Sequence, residues 1–244
     1  MTFDWAGIVE QEGTALGDAA AVDLEAPIPA APGWDTTGLL RHMGLIHTRS
    51  SVILRTGTTE RPTRSNGMLP EPPTDGVLDW YRDAHAALVA DLRALDDPDR
   101  PVYSFSPRHR RAGFWPRRMA QETTIHRVDA QQAVGRSVAP ITPELAVDGI
   151  DEVFDVFVAT FTADQSPGDG RTVHLHSSDA EGEWLIRFDP GQLVVEPGHA
   201  KGDAAVRGPA ADLLLWLWGR GPLGGLDVFG DREAVDALRQ LTTF

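Results

Sequence analysis

Apolar residues in the first half of the chain recur at helical spacing, and the runs are separated by breakers. An alanine-rich run predicts a helix from Phe3 to about Val22, ended by the proline-rich stretch Ala26–Gly33. Asp35 or Thr36 can cap a second helix that runs to about Arg55, where Gly57 stops it. A Pro/Gly/Thr-rich loop spans Thr58 to Thr74. A third helix starts near Asp75 and puts Val77, Leu78, Tyr81, Ala84, Leu88 and Leu92 on one face, until Asp96-Asp97-Pro98 ends it. A fourth runs from about Trp115 to Val134, with Gly135 as its C-cap. Four helices joined by short breaks predict a bundle.

The pattern then changes. Thr142 can cap a connecting helix from Pro143 to about Phe161. Thr172–His176, Glu183–Phe188 and Gln192–Glu196 are short strand-like runs between turn residues. Pro209–Trp218 reads as a buried helix, Leu226–Val228 as a short strand and Asp231–Leu241 as a last helix. Strands flanked by helices predict a small α+β domain. The boundary falls in Arg136–Thr142, giving domains 1–140 and 141–244, with the connecting helix 143–161 able to belong to either.

Composition narrows the chemistry. The chain of 244 residues has no cysteine, so disulfides, Cys-ligated zinc, iron–sulfur clusters and a cysteine nucleophile are excluded. A net charge of −14 argues against nucleic acid and against anionic membranes as partners. Lys201 is the single lysine, so Schiff-base catalysis would have to use it. No signal-like run follows Met1, and the apolar runs are too short to span a membrane, so the expected location is the cytoplasm. There is no His-Glu-x-x-His, dinucleotide fingerprint, phosphate loop or Gly-x-Ser-x-Gly elbow.

The most informative segment is Met119-Ala120-Gln121-Glu122-Thr123-Thr124-Ile125-His126-Arg127-Val128-Asp129. On a helix Glu122 and His126 project from one face, roughly 6 Å apart along the axis, a spacing that lets both hold one ion. The second helix carries two candidate third ligands, His42 and His47. Five residues at about 100° each set them about 140° apart, so both cannot face the bundle axis. His47 shares a stripe with Leu40, Met43 and Leu54, and His42 lies nearer Leu39, Leu45 and Ile46. Both stripes are partly apolar, and periodicity does not choose between them. Two imidazoles and a carboxylate would suit zinc with a position left open, or ferrous iron.

The same segments carry a resemblance. Pro32-Gly33-Trp34, Leu39-Leu40-Arg41-His42-Met43 with His47 beyond it, and Arg117–Ala130 resemble the mycothiol-dependent maleylpyruvate isomerase family of the DinB/YfiT-like superfamily. Val206–Arg220 resembles that family's second domain, which is similar to sterol-carrier-protein folds. The resemblance implies a DinB-like four-helix bundle followed by a small sterol-carrier-protein-like α+β domain. It also implies a metal triad of one helix-two histidine with Glu122 and His126, and by that pattern the helix-two ligand is His47. Its further implications are Zn2+ as the metal and mycothiol as thiol cosubstrate, with Fe2+ the alternative that the ligand chemistry leaves open. The thiol, activated as a metal-bound thiolate, would act on a small anionic electrophile by isomerisation or S-transfer. An arginine from the second domain binds the anionic substrate in the family, and Arg220 is the best match, with Arg82 on helix three the weaker candidate. Two other readings stand beside this one: a ferrous-iron enzyme with the same triad, and a non-enzymatic metal-containing binding module.

Two further features need a structure. Asp129, three residues beyond His126, is either an orienting partner or an exposed acid. His174 and His176 alternate on a strand and so share a face, but no third ligand for a second metal suggests itself.

Overall fold

The computed structural model describes residues 3–243. The chain divides into two compact units, one ending at Ala139 and one beginning at Pro140.

The first unit is helical: α1 (Trp5–Ala20), α2 (Thr36–Thr56), α3 (Val77–Arg93) and α4 (Phe114–Ala133). Local chemistry sets the ends. The Asp35 carboxylate accepts from the Gly38 amide at 2.6 Å and so caps α2, and Gly57 closes it with a left-handed φ of 67°. Helix α1 packs on α3 and α4, and α2 packs on α3 and α4. Two apolar clusters form the core. One joins Val9, Ile53, Leu54, Leu88, Trp115 and Met119, and the other joins Leu16, Leu39, Leu40, Met43, Tyr81 and Ala130. Along each helix, the residues between these two levels are polar or small: Gly13 on α1, His47 on α2, His85 on α3 and Thr123 on α4. The bundle therefore has a buried polar layer between two apolar ones. Gly13 is required there, because a Cβ would meet the His85 ring at 2.4 Å. His85 Nε2 uses that space to donate to the Val9 carbonyl at 3.0 Å.

The second unit starts with α5 (Pro143–Glu152), which continues as a π-helix over Val153–Thr162. The sequence predicts one regular helix to Phe161. The wider winding instead keeps Phe154, Val158 and Thr162, each four residues apart and all buried, closer to one face. A five-stranded sheet follows in the order β3-β2-β1-β4-β5. Its strands are β1 (Thr172–Ser177), β2 (Glu183–Asp189), β3 (Gln192–Pro197), β4 (Ala204–Gly208) and β5 (Asp227–Gly230). Strands β1 and β4 run parallel, and every other neighbouring pair is antiparallel. Helices α6 (Ala210–Leu217) and α7 (Arg232–Leu241) contact β1 and β4. The face with Val173, Leu175, Trp184, Ile186, Phe188, Ala204 and Val206 is buried, and from it Trp184 Nε1 donates to Asp151 of α5 at 2.7 Å. Strand β4 is absent from the sequence reading. Its residues, Ala-Ala-Val-Arg-Gly, have weak strand propensity, and position between β1 and β5 makes them a strand.

No helix among the described residues is long and apolar enough to cross a membrane.

Candidate metal centre

Helix α4 delivers Glu122 and His126 to one face, as the i, i+4 spacing requires. The histidine that joins them from α2 is His42. Its Nε2 lies 3.2 Å from Glu122 Oε1, and His126 Nε2 lies 3.5 Å from the same oxygen. One donor atom from each of the three lies within 4.8 Å of the others. Tetrahedral ligands at zinc bond lengths of about 2.05 Å stand about 3.3 Å apart, so this donor set fits such an ion. The two imidazole rings meet edge-on with centroids 5.0 Å apart, and Trp34 lies against His42 with centroids 5.2 Å apart.

His47, the expected ligand, is not brought to Glu122 and His126. The 140° between the two α2 histidines turns it to the buried polar layer instead. There its ring lies 5.6 Å from those of both Tyr81 and His85. Thr123 spends its hydroxyl proton on the Met119 carbonyl at 2.7 Å, so the 3.2 Å contact has His47 Nε2 donating to Thr123 Oγ1. That fixes the Nε2–H tautomer and leaves Nδ1 as a buried acceptor with no hydrogen-bond partner.

The surroundings of the triad tune its charge. Burial alone would raise the Glu122 pKa, but Arg118 and the two histidines hold it well below the usual carboxylate range. Arg118 Nη2 donates to Glu122 Oε2 at 2.5 Å, and its side chain is 2% exposed. Glu122 thus turns one oxygen to Arg118 and the other to the two imidazoles. Asp129 is the orienting partner, not an exposed acid. Its side chain is 1% exposed, and Oδ2 accepts from His126 Nδ1 at 2.8 Å. The bond fixes the ring and directs Nε2 at the site, as carboxylates behind metal-binding imidazoles do. Burial works to lower the His126 pKa, but the bonds to Asp129 and Glu122 outweigh it and raise it to about 9. Replacing Asp129 with asparagine is expected to weaken Zn2+ affinity by about 10- to 100-fold with the fold retained. Chelator competition monitored alongside circular dichroism measures both quantities.

His47 shifts the other way. Burial first, then His85, lower its pKa to about 3, with Glu122 opposing. The unfolded chain protonates this group near pH 6.5, so between pH 6.5 and 3 the unfolded state holds more protons. Its contribution to stability is complete above pH 6.5 and falls by about 1.4 kcal/mol per pH unit below it. Urea unfolding at pH 7 and pH 5 should show His47→Gln losing about 2 kcal/mol less than the parent does over that interval. An equal loss in the variant would place the titration elsewhere.

The two arginines expected to meet substrate stand as follows. Arg82 on α3 is half exposed and lies 3.5 Å from Asp79 and 3.8 Å from Asp18. Arg220, in the second unit beyond the end of α6, donates from Nη1 to the Trp218 carbonyl at 2.7 Å. In the second unit the sheet register supplies ligand-type residues that the sequence reading lacked. Glu183 pairs with His176 across β1 and β2, and His199 follows β3.

Residues 7–131 match the family model described as "Mycothiol maleylpyruvate isomerase N-terminal domain", and residues 144–237 match "MDMPI C-terminal domain". Among solved structures, the crystal structure of the mycothiol-dependent maleylpyruvate isomerase is similar at 14% identity and a TM-score of 0.60. The alignment covers 92% of this chain and 91% of that one. A point mutant of that isomerase gives 14% identity, the same coverage and a TM-score of 0.61. No curated protein matches. At this identity the solved structures establish the shared fold, and the two family matches, together spanning most of the sequence, establish that the chain belongs to the mycothiol maleylpyruvate isomerase family.

Proposed function

We propose that this protein is a metal-dependent isomerase that uses mycothiol as its thiol cosubstrate. Its substrate is a small anionic alkene of the maleylpyruvate type. The observation that carries the reading is the convergence of His42, Glu122 and His126, with Asp129 bonded behind His126, in a chain of this family. His42 Nε2, Glu122 Oε1 and His126 Nε2 would hold the ion, and Zn2+ suits two nitrogens and one oxygen with a position left over. A divalent cation there supplies a charge that favours the thiolate form of a thiol whose free pKa is near 8.5.

The remaining work falls to the chain and the thiol. Arg118 keeps Glu122 ionised, and Asp129 keeps the His126 ring aimed. Addition of the thiolate sulfur to one alkene carbon makes the double bond single and shifts its electron pair onto the conjugated carbonyl. Rotation follows, and expulsion of the thiolate restores the alkene in the trans form, so the thiol is regenerated. Having no cysteine, the protein offers no competing thiol of its own. Arg220 remains the first candidate for the substrate carboxylate, and Arg82, 3.5 Å from Asp79 and 3.8 Å from Asp18, the second.

The test is turnover of maleylpyruvate by the zinc-loaded protein with and without mycothiol, followed by proton NMR. Trans product with the free thiol conserved is expected. Thiol consumed in step with substrate would make the enzyme an S-transferase, and turnover indifferent to mycothiol would overturn the proposal.

A further inference from the structure

The second unit holds a convergence of metal-ligand side chains of its own. We propose that His174, His176, Glu183 and His199 form a second Zn2+ site, one that ties the β3–β4 connection to the sheet.

The geometry follows from the strands. His174 and His176 are two apart on β1, so both lie on the face opposite Val173 and Leu175. Glu183 begins β2 directly across from His176. Strand β3 pairs with β2 until Pro197, where Gly198 adopts a φ of 109° and donates its amide to the Glu183 carbonyl at 3.0 Å. That turn, which a side chain at 198 would strain, brings His199 back over Glu183.

Three imidazoles then meet one carboxylate oxygen. Glu183 Oε2 lies 2.9 Å from His174 Nε2, 3.5 Å from His176 Nδ1 and 2.8 Å from His199 Nδ1. The three rings stand nearly perpendicular to one another, with centroids 5.5 to 6.3 Å apart. His199 bonds Glu183, and the buried His174 Nε2 stands 2.9 Å from the same oxygen but poorly aligned for a hydrogen bond to it. The His174 side chain is 6% exposed, so water does not satisfy this nitrogen either.

A shared cation would give this nitrogen a partner. The donor atoms of all four residues lie within 4.8 Å of one another. The separations from Oε2 bracket the roughly 3.3 Å expected between ligands of tetrahedral zinc. Three nitrogens and one oxygen suit Zn2+ among the common divalent ions. Four protein donors leave no position for a substrate, so the site is structural. It would cross-link β1, β2 and the connection that leads into β4.

The experiment is zinc stoichiometry on the full-length chain, prepared without a histidine tag, stripped with chelator and reloaded at pH 7.5. The parent is compared with the double variant His176→Asn/His199→Asn. Both positions are solvent-accessible, so the variant should fold, and circular dichroism checks this. The expected result is two zinc ions per parent chain and one per variant chain, with mycothiol-dependent turnover of the variant unchanged. Cobalt loading adds a spectroscopic check, because the visible bands of a tetrahedral ion should diminish in the variant. Equal zinc in parent and variant, whatever its amount, overturns the second site. One ion in the parent and none in the variant supports it while refuting the first site, so the two assignments fail separately.

Discussion

His42→Ala protein will emerge from purification with less than about a tenth of the parent's α-helical-unit zinc, and will isomerise at least about a thousandfold more slowly. That loss corresponds to roughly 4 kcal/mol of transition-state stabilisation. Removing one of three ligands leaves Glu122 and His126 to hold the ion alone, and Glu122 is already engaged by Arg118. Two effects then combine. A free thiol with a pKa near 8.5 is only about 3% ionised at pH 7, so loss of ionisation is worth about thirtyfold. Loss of a fixed position for the sulfur supplies the remainder. His47→Gln is the control that separates the two histidines. His47 is turned to Thr123, Tyr81 and His85, so its loss will cost stability and leave zinc content within about 20% of the parent's. Elemental analysis of the two variants decides between them. Full zinc in His42→Ala together with depleted zinc in His47→Gln would restore the assignment made from the sequence.

That contrast shows where the sequence stops being legible. Glu122 and His126 lie on one helix, and a single geometric constant places them on one face. The choice between His42 and His47 depends on how α2 is rotated against its neighbours. Both histidines reach α4, His42 at Glu122 and His47 at Thr123, and His47 also meets Tyr81 and His85 of α3. The resemblance pointed to His47 on α2, whereas the structure gathers His42, five residues earlier, with Glu122 and His126. Asp129 was readable as a neighbour of His126, but its burial was not, since burial is supplied by other elements. The second cluster was half visible. Strand alternation paired His174 with His176, whereas Glu183 needed the β1–β2 register and His199 needed the turn at Gly198. Strand β4 went unread for the reason that all of these share: long-range position, and not local propensity, determines it.

Arg127→Met tests a buried charge that ties α1 to α4. The Arg127 side chain, adjacent in sequence to His126 but about 100° round the helix, is 1% exposed. It binds three partners at once. Nε donates to Glu12 of α1 at 2.7 Å, and Nη1 donates to Gln131 Oε1 at 2.9 Å and to the Ala139 carbonyl at 2.7 Å. Gln131 in turn accepts the Ala139 amide at 2.9 Å, so α1, α4 and the segment after α4 are joined through one guanidinium. Methionine fills similar volume and satisfies none of these acceptors. Glu12, 12% exposed, would lose its Arg127 partner. Breaking a buried pair from one side costs about 3–5 kcal/mol, which should lower the melting temperature by roughly 10 °C or more. Arg127→Lys should recover only part of this, because an ammonium cannot reproduce the planar fork. The double variant Arg127→Met/Glu12→Met should recover most of it, because the stranded charge is gone. Zinc content per folded chain should be unchanged in all three, since Arg127 points away from the ion's ligands. A melting temperature for Arg127→Met within about 3 °C of the parent's would show that α1 and α4 are held by their apolar contacts alone.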